Sequence, residues 1–133
     1  MQTRYALDLD VANVILHEAR DHALAQGWQV SIAVVDESGG LLAFARMDGA
    51  SLLSAELALG KARTAAVGRR ESKAFEQMVE EGRLSLLGVQ GLTCLEGGLP
   101  LRHEGQCVGA IGVSGVASHQ DTRIALAGLS VLG

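Results

Sequence analysis

The sequence predicts an α+β fold in which a five-stranded, mostly antiparallel sheet is flanked by helices. Helically spaced apolar residues occur near both ends of the chain, and the strand-like segments between them are joined by short turns. Hairpins therefore dominate, in the order α-β-β-α-β-β-β-α. The chain has 133 residues, 48% of them apolar and 20% charged, which suits a single domain over residues 1–133.

The first half of the chain is predicted to form a helix and a hairpin. Apolar residues follow helical spacing over residues 8–26, where Asp8 or Asp10 can cap the start and Gly27 can end the helix. The segments 29–36 and 41–48 are rich in β-branched and small residues and are separated by ESGG, a turn sequence. Because both faces of these strands are apolar or small, we expect the sheet to be covered on both sides.

The middle of the chain is predicted to be helical. An alanine-rich helix spans residues 50–67, with Ser51 or Ser54 as its cap, and a shorter helical stretch covers residues 75–81.

Three further strands and a helix complete the fold. The strands are predicted over residues 92–96, 99–103 and 106–114, and a tight turn at Glu104-Gly105 joins the last two. The final helix begins at Ser118, where Asp121 three residues later approximates a capping box.

Charge and cysteine content restrict the function classes. The net charge of −4 provides no basic footprint for nucleic acid, and no apolar run is long enough to span a membrane. The N-terminal residues MQTRYALDLD lack the apolar stretch of a signal peptide. Cys94 and Cys107 lack metal spacing, and free thiols predict a cytoplasmic protein; a disulfide between them is the alternative.

Several motifs together resemble a known family. VVDESGGLLAFARMDGA is followed by LGKARTAA, GGLPL, and VGAIGVSG with QD soon after. This succession, over roughly residues 7–130, resembles the GlcG/HbpS-like proteins, whose domain also forms the C-terminal part of PduO-type proteins. The resemblance implies a profilin-like layered fold and a homo-oligomer. It also implies haem binding, because some members are described as haem-binding or haem-degrading, and related proteins include a hydroxylaminobenzoate lyase.

Two charged positions are the leading candidates for chemistry. Arg46, at the end of the second strand, can hold a carboxylate in a bidentate contact, and Asp48 can move a proton. The alternatives are that Arg46 is a solvated strand residue and that Asp48 caps the next helix. Lys61 lies among alanines, either in an anion-binding pocket or snorkelling along a packed surface.

Histidines are the candidate haem or metal ligands. His103 is also a candidate base, although it can equally be an exposed turn residue. Glu18 and His22 are four residues apart and can share one helical face and a metal ion; the alternative is a helix edge at an interface. The side chains that could ligate haem iron are His17, His22, His103, His119, Met47 and Met78.

Glycines crowd the segment 97–115. Gly97 and Gly98 precede a turn, and exposed backbone N–H groups near Ser114 and Gly115 can bind an oxygen-rich ligand. The alternative is close packing against the helix over residues 50–67.

Two functions follow from the resemblance taken together with these candidates. The first is an oligomeric cytoplasmic protein that binds a small molecule, either haem or a related planar ligand. The second is a catabolic lyase acting on an aromatic hydroxylamine carboxylate. In the lyase, Arg46 or Lys61 binds the carboxylate, and Asp48, Glu56 or His103 moves protons. A purely structural role, with the glycines serving interfaces, is the third alternative.

Overall fold

The computed structural model describes all residues, 1–133, as four helices and four strands with two short 3-10 turns. In chain order the elements are α1 (Leu9–Gln26), β1 (Ser31–Asp36), β2 (Leu41–Arg46), α2 (Leu52–Gly68), α3 (Ser72–Glu80), a 3-10 turn (Leu84–Gly88), β3 (Gly98–His103), β4 (Gln106–Ser114), α4 (Ser118–Leu129) and a second 3-10 turn (Ser130–Leu132). The α+β class is confirmed. No helix combines the length and hydropathy needed to cross a bilayer.

The sheet has four strands rather than the predicted five, in the order β2-β1-β4-β3, and every pairing is antiparallel. The segment 92–96 is not a strand, and two of its amide hydrogens bond to side chains of the neighbouring helices. The Thr93 amide donates to Thr64 Oγ1 of α2, and the Glu96 amide donates to Glu76 Oε2 of α3. This segment has the composition of a strand, but these hydrogen bonds hold it as an irregular segment against α2 and α3.

Local signals at the ends of elements are confirmed in most cases. Asp8 caps α1 by accepting a hydrogen bond from the Val11 amide, and Gly27 ends the helix in the left-handed conformation with φ 73°. Ser51, one of the two predicted caps, begins α2. Glu104 and Gly105 have φ of 48° and 78°, which are the signs that a type I′ hairpin turn requires.

The predicted capping box at Ser118 is wrong. Ala117 is the N-cap residue of α4, and the side chain of Gln120 reaches back to accept from the Ala117 amide. Asp121 is used elsewhere, since its carboxylate accepts from the Val116 amide and from Lys61.

Both faces of the sheet are covered by helices, as predicted. The face under α1 and α4, here called the aliphatic face, contributes large side chains to a buried cluster of 17 residues. The face under α2, here called the alanine face, forms a separate cluster of Ala33, Val35, Ala58, Ala62, Ala65, Ala66 and Ala110. The sheet therefore separates two cores of different composition.

Glycines on β3 and β4 allow α2 to approach the sheet closely. A Cβ added to Gly112 would lie 2.1 Å from the Ala58 carbonyl oxygen, and one added to Gly98 would lie 2.2 Å from the Lys61 carbonyl oxygen. Side chains at these positions would collide with helix backbone, so close packing accounts for both glycines. The ligand-binding role of Gly98 stays a prediction.

Candidate functional site

A groove lies where the end of α1 meets the end of β2. It has a volume of about 380 Å³ and includes two of the predicted site residues, Arg46 and Asp48. Here it is called the Arg20/Arg46 groove, and its lining is Arg20, Leu24, Gly27, Trp28, Gln29, Ala45, Arg46, Met47 and Asp48.

Two glycines shape this groove. The left-handed turn at Gly27 ends α1 and places Trp28 immediately after it, in the wall of the groove. Gly49 has φ 86°, and a Cβ there would lie 2.4 Å from Gln29 Oε1. Glycine at position 49 therefore lets the chain turn out of β2 beneath Gln29.

The charged side chains of the groove are free to bind a ligand. Arg20, Arg46 and Asp48 make no side-chain hydrogen bond or ion pair within the chain, and all three are exposed. Asp48 does not cap α2, because Ser51 fills that role. Two guanidinium groups beside a single carboxylate make the lining cationic, which suits an acidic ligand.

A histidine with an unused nitrogen lies behind the tryptophan. His22 Nε2 is buried and has no hydrogen-bond partner. The His22 and Trp28 ring centroids are 6.3 Å apart, and the Arg123 guanidinium carbon lies 5.5 Å from the Trp28 centroid. Buried polar groups are ordinarily satisfied, so this nitrogen is one that the fold itself does not employ.

Lys61 lies in neither of the predicted settings, because it forms a buried ion pair. Its Nζ donates to Asp121 Oδ2 at 3.1 Å and to the Val113 carbonyl oxygen at 2.9 Å. Lys61 and Asp121 are only 3% and 2% exposed. Gly97 makes room for the lysine, since a Cβ there would lie 2.9 Å from Nζ. Burial raises the pKa of Asp121, and the ammonium of Lys61 partly offsets that rise.

The remaining candidates are dispersed. Glu56 is exposed on α2, and His103 is exposed with its ring edge-on to Tyr5 at 4.7 Å. Ser114 is buried, whereas Gly115 is exposed with φ 143°. The other predicted ligands lie as follows: Glu18, His17 and His119 are exposed, and Met78 is half-buried.

The proton-transfer candidates Asp48, Glu56 and His103 lie in different places, and the Glu18–His22 metal pair stays a prediction. No group of three or more His, Cys, Asp or Glu side chains is close enough together to hold a metal ion. Arg46 and Asp48 share one groove, whereas Lys61 lies elsewhere, in a buried ion pair with Asp121.

Sequence reasoning missed four residues at these two places. Arg20, Trp28 and Gln29 line the groove, and Asp121 pairs with Lys61. The sole tryptophan directly after a helix-ending glycine was an available signal for Trp28. No local pattern connects Lys61 with a residue 60 positions away.

Comparison with known proteins identifies the family. The family model described as "Haem degrading protein HbpS-like" matches residues 7–130. This chain belongs to that family, as the sequence motifs predicted.

Individual relatives agree with this assignment. Protein GlcG of Escherichia coli K12 is 45% identical over 114 residues, covering 86% of this chain and 85% of GlcG. A doubly mutated HbpS of Streptomyces reticuli superposes with a TM-score of 0.92 at 33% identity, covering 100% of this chain and 91% of HbpS. A PduOC–haem complex superposes with a TM-score of 0.89 at 26% identity, covering 97% of this chain and 96% of that one.

Proposed function

We propose that this protein binds haem in the Arg20/Arg46 groove. The observation that carries the proposal is the pair of unpartnered guanidinium groups, which share one groove with Trp28 and Met47. The family description and the haem complex of a structural relative support the choice of ligand. Haem combines an apolar planar ring with two carboxylates, and the groove combines apolar walls with two cations.

The chemical types of the groove residues match those of haem. Arg20 and Arg46 would hold the propionate carboxylates, since guanidinium groups bind carboxylates through paired hydrogen bonds. Trp28 and Leu24 supply apolar surface for the ring. When bound, haem would supply an iron centre for redox or oxygen chemistry.

Two side chains near the groove are candidate iron ligands. Met47 lines the groove and is half-buried, and a methionine thioether is a known haem ligand. His22 has the unpartnered Nε2, which would become available if its ring turned past Trp28. The histidines at positions 17 and 119 are exposed and do not line the Arg20/Arg46 groove.

We also propose that the protein is a cytoplasmic homo-oligomer. Leu52, Leu53, Leu84 and Leu87 are each at least 60% exposed, which is unusual for a monomer at so many large aliphatic positions. Contact between copies would remove these side chains from water. Cys94 and Cys107 are unpaired, which accords with a reducing compartment.

The lyase alternative keeps only one pair of its candidates, Arg46 and Asp48, in a common groove. Its proton-transfer residues Asp48, Glu56 and His103 lie in a groove, on the surface of α2, and beside Tyr5. The ammonium of Lys61 is occupied by Asp121 and is closed to substrate.

A hemin titration followed by the Soret band tests the haem proposal. We expect saturable binding, weakened about tenfold or more by Arg46→Gln because a charged hydrogen bond is lost. Either Met47→Leu or His22→Leu should shift the Soret maximum, and the one that does so identifies the iron ligand. His22→Leu should fold well, because it removes an unsatisfied buried nitrogen.

Matched controls keep this test specific. His17→Gln and His119→Gln change exposed histidines away from the groove and should leave the spectrum unchanged. Binding without saturation, or equal loss in every variant, would reject the groove as a haem site.

A further inference from the structure

A second groove runs along the outer edge of β3, away from the Arg20/Arg46 groove. One part has a volume of about 350 Å³ and lies between β3, α4 and the connection from α2 to α3. An adjoining part of about 300 Å³ shares Pro100, Arg102 and Leu129 with it. This β3-edge groove is lined in its larger part by Arg70, Glu71, Leu99, Pro100, Arg102, Leu126 and Leu129.

The backbone of this edge is unsuited to pairing with another strand. β3 is the last strand of the sheet, so its outer side carries no partner strand. Pro100 has no amide hydrogen, and the Gly98 amide already donates to Ser72 Oγ. Two of the first three residues of β3 therefore offer no outward donor, which argues against an added strand as the occupant.

Two cations lie at the rim of the groove, although the chain carries a net charge of −4. Arg102 Nη2 donates to the Arg69 carbonyl oxygen at 2.8 Å, which anchors that guanidinium. The Arg70 guanidinium carbon lies 5.9 Å from the Phe75 ring centroid. Neither arginine forms an ion pair, and Glu71 is the one carboxylate in the lining. The larger part of the groove therefore has a formal net charge of +1 from Arg70, Arg102 and Glu71, which suits a ligand with one negative charge.

The rest of the lining is apolar. Leu99 and Leu129 lie at the base beside Pro100, and Leu126 is 48% exposed at the side. A large leucine exposed beside two anchored cations is a surface that an amphipathic molecule would cover.

We propose that the β3-edge groove binds a small amphipathic carboxylate. The carboxylate pairs with Arg70 and Arg102, and the apolar tail lies along Pro100, Leu126 and Leu129. This site is separate from the proposed haem groove and shares no lining residue with it.

Calorimetric titration with octanoate tests the proposal, and octanamide is the neutral probe of matched shape. We expect octanoate to bind saturably and octanamide about tenfold or more weakly, because the amide lacks the charge that pairs with the arginines. Arg102→Gln should raise the octanoate Kd about tenfold, and Arg102→Lys should restore part of the affinity. Leu126→Glu should abolish binding by placing a like charge beside the carboxylate.

Matched controls use equivalent residues elsewhere. Arg46→Gln removes an exposed arginine from the other groove, and Leu41→Glu adds a charge at a leucine that is 49% exposed. Both should leave the octanoate Kd unchanged, and hemin titration of the Arg102 and Leu126 variants should match the unmodified protein.

Three outcomes would overturn the proposal. The first is the absence of octanoate binding, and the second is equal binding of octanoate and octanamide. The third is a loss of octanoate affinity in the Arg46→Gln variant equal to that in Arg102→Gln. If sedimentation shows that Leu126→Glu dissociates an assembly to which octanoate does not bind, the groove is a contact between copies and the carboxylate site is rejected.

Discussion

The two faces of the sheet reach the same degree of burial by different means. On the aliphatic face, side chains such as Ile32, Ile111 and Val113 are fully buried against α1 and α4. On the alanine face, the largest side chain of the cluster is Val35. The backbone of α2 packs so close to the strands that a Cβ at Gly112 would collide with it. Stability on the first face depends on filled volume, whereas on the second it depends on how closely two backbones approach.

The difference predicts opposite sensitivities to substitution. Removing volume should damage the aliphatic face, because a cavity remains where the side chain was. Adding volume should damage the alanine face, because helix backbone cannot move aside as a side chain can. Lys61 links the two faces, because it belongs to α2 and its ammonium donates a hydrogen bond to Asp121 of α4.

The largest effect is expected where the two faces are linked. Lys61→Met leaves the Asp121 carboxylate buried without its cation and leaves the Val113 carbonyl without its donor. We expect a loss of about 3–5 kcal/mol in the free energy of unfolding, measured by urea denaturation.

A double variant separates the ion pair from lost packing. Asp121→Asn keeps an oxygen for the Val116 amide and removes the charge. Lys61→Met with Asp121→Asn should therefore cost less than the sum of the two single changes. Simple additivity would show that the two side chains are not coupled.

Loss of volume on the aliphatic face should be nearly as severe. Ile111 is fully buried in β4, and its Cδ1 lies near Gly128 of α4. Ile111→Ala should cost about 2–5 kcal/mol in the free energy of unfolding, with the exact figure set by how far α4 can settle into the cavity. A cost below about 1 kcal/mol would show that this face collapses easily and would weaken the comparison.

The neighbouring residue provides the opposite test on the alanine face. Gly112→Ala should cost about 1–3 kcal/mol, because its Cβ would meet backbone atoms of Ala58 and Ala62 in α2. Gly88→Ala is the control, since no atom lies within 4 Å of a Cβ there. Chemical denaturation of both variants measures the change in the free energy of unfolding. If Gly112→Ala leaves that free energy unchanged, α2 can move away from the sheet.

The smallest effect is expected at the β1–β2 turn, outside both cores. Asp36 Oδ1 accepts from the Ser38 hydroxyl and from the amides of Ser38 and Gly40, and these bonds lower the pKa of the carboxyl. A lowered pKa in the folded state means that this stability is present above the ordinary pKa and is lost as the pH falls through the lowered one. We expect a contribution of about 1 kcal/mol.

Thermal unfolding at a series of acidic pH values measures this contribution. Asp36→Asn should lower the melting temperature at neutral pH, and the difference from the unmodified protein should shrink under acid. Asp21→Asn, at an exposed residue of α1 without hydrogen bonds from its side chain, is the control. A difference that stays constant with pH would assign the effect to turn geometry and not to charge.

Much of the fold was predictable because its signals are local. The cap at Asp8, the left-handed end at Gly27 and the turn at Glu104-Gly105 each depend on a few adjacent residues. The hairpins follow from alternation and turn sequences. These features fix most of the element order without knowledge of tertiary contacts.

The errors and omissions arise from contacts distant in sequence. The segment 92–96 resembles a strand in composition, but two of its amide hydrogens bond to the side chains of Thr64 and Glu76 in the helices. Asp121 looked like part of a capping box, but it pairs with Lys61. Arg46 and Asp48 were identified as a possible site from their own motif, whereas Arg20 joins them only through the packing of α1 beside β2.

The bond between Lys61 and Asp121 has a consequence for the order of events during synthesis. The two residues are 60 positions apart, so Asp121 is made 60 residues after Lys61. While the ribosome is still adding residues, Lys61 has no buried partner and its ammonium stays hydrated. The helix that carries it, α2, can therefore pack fully against the sheet only after α4 has emerged from the ribosome. Closure of the domain therefore waits for α4, and nascent chains truncated before α4 should remain open to proteases around α2.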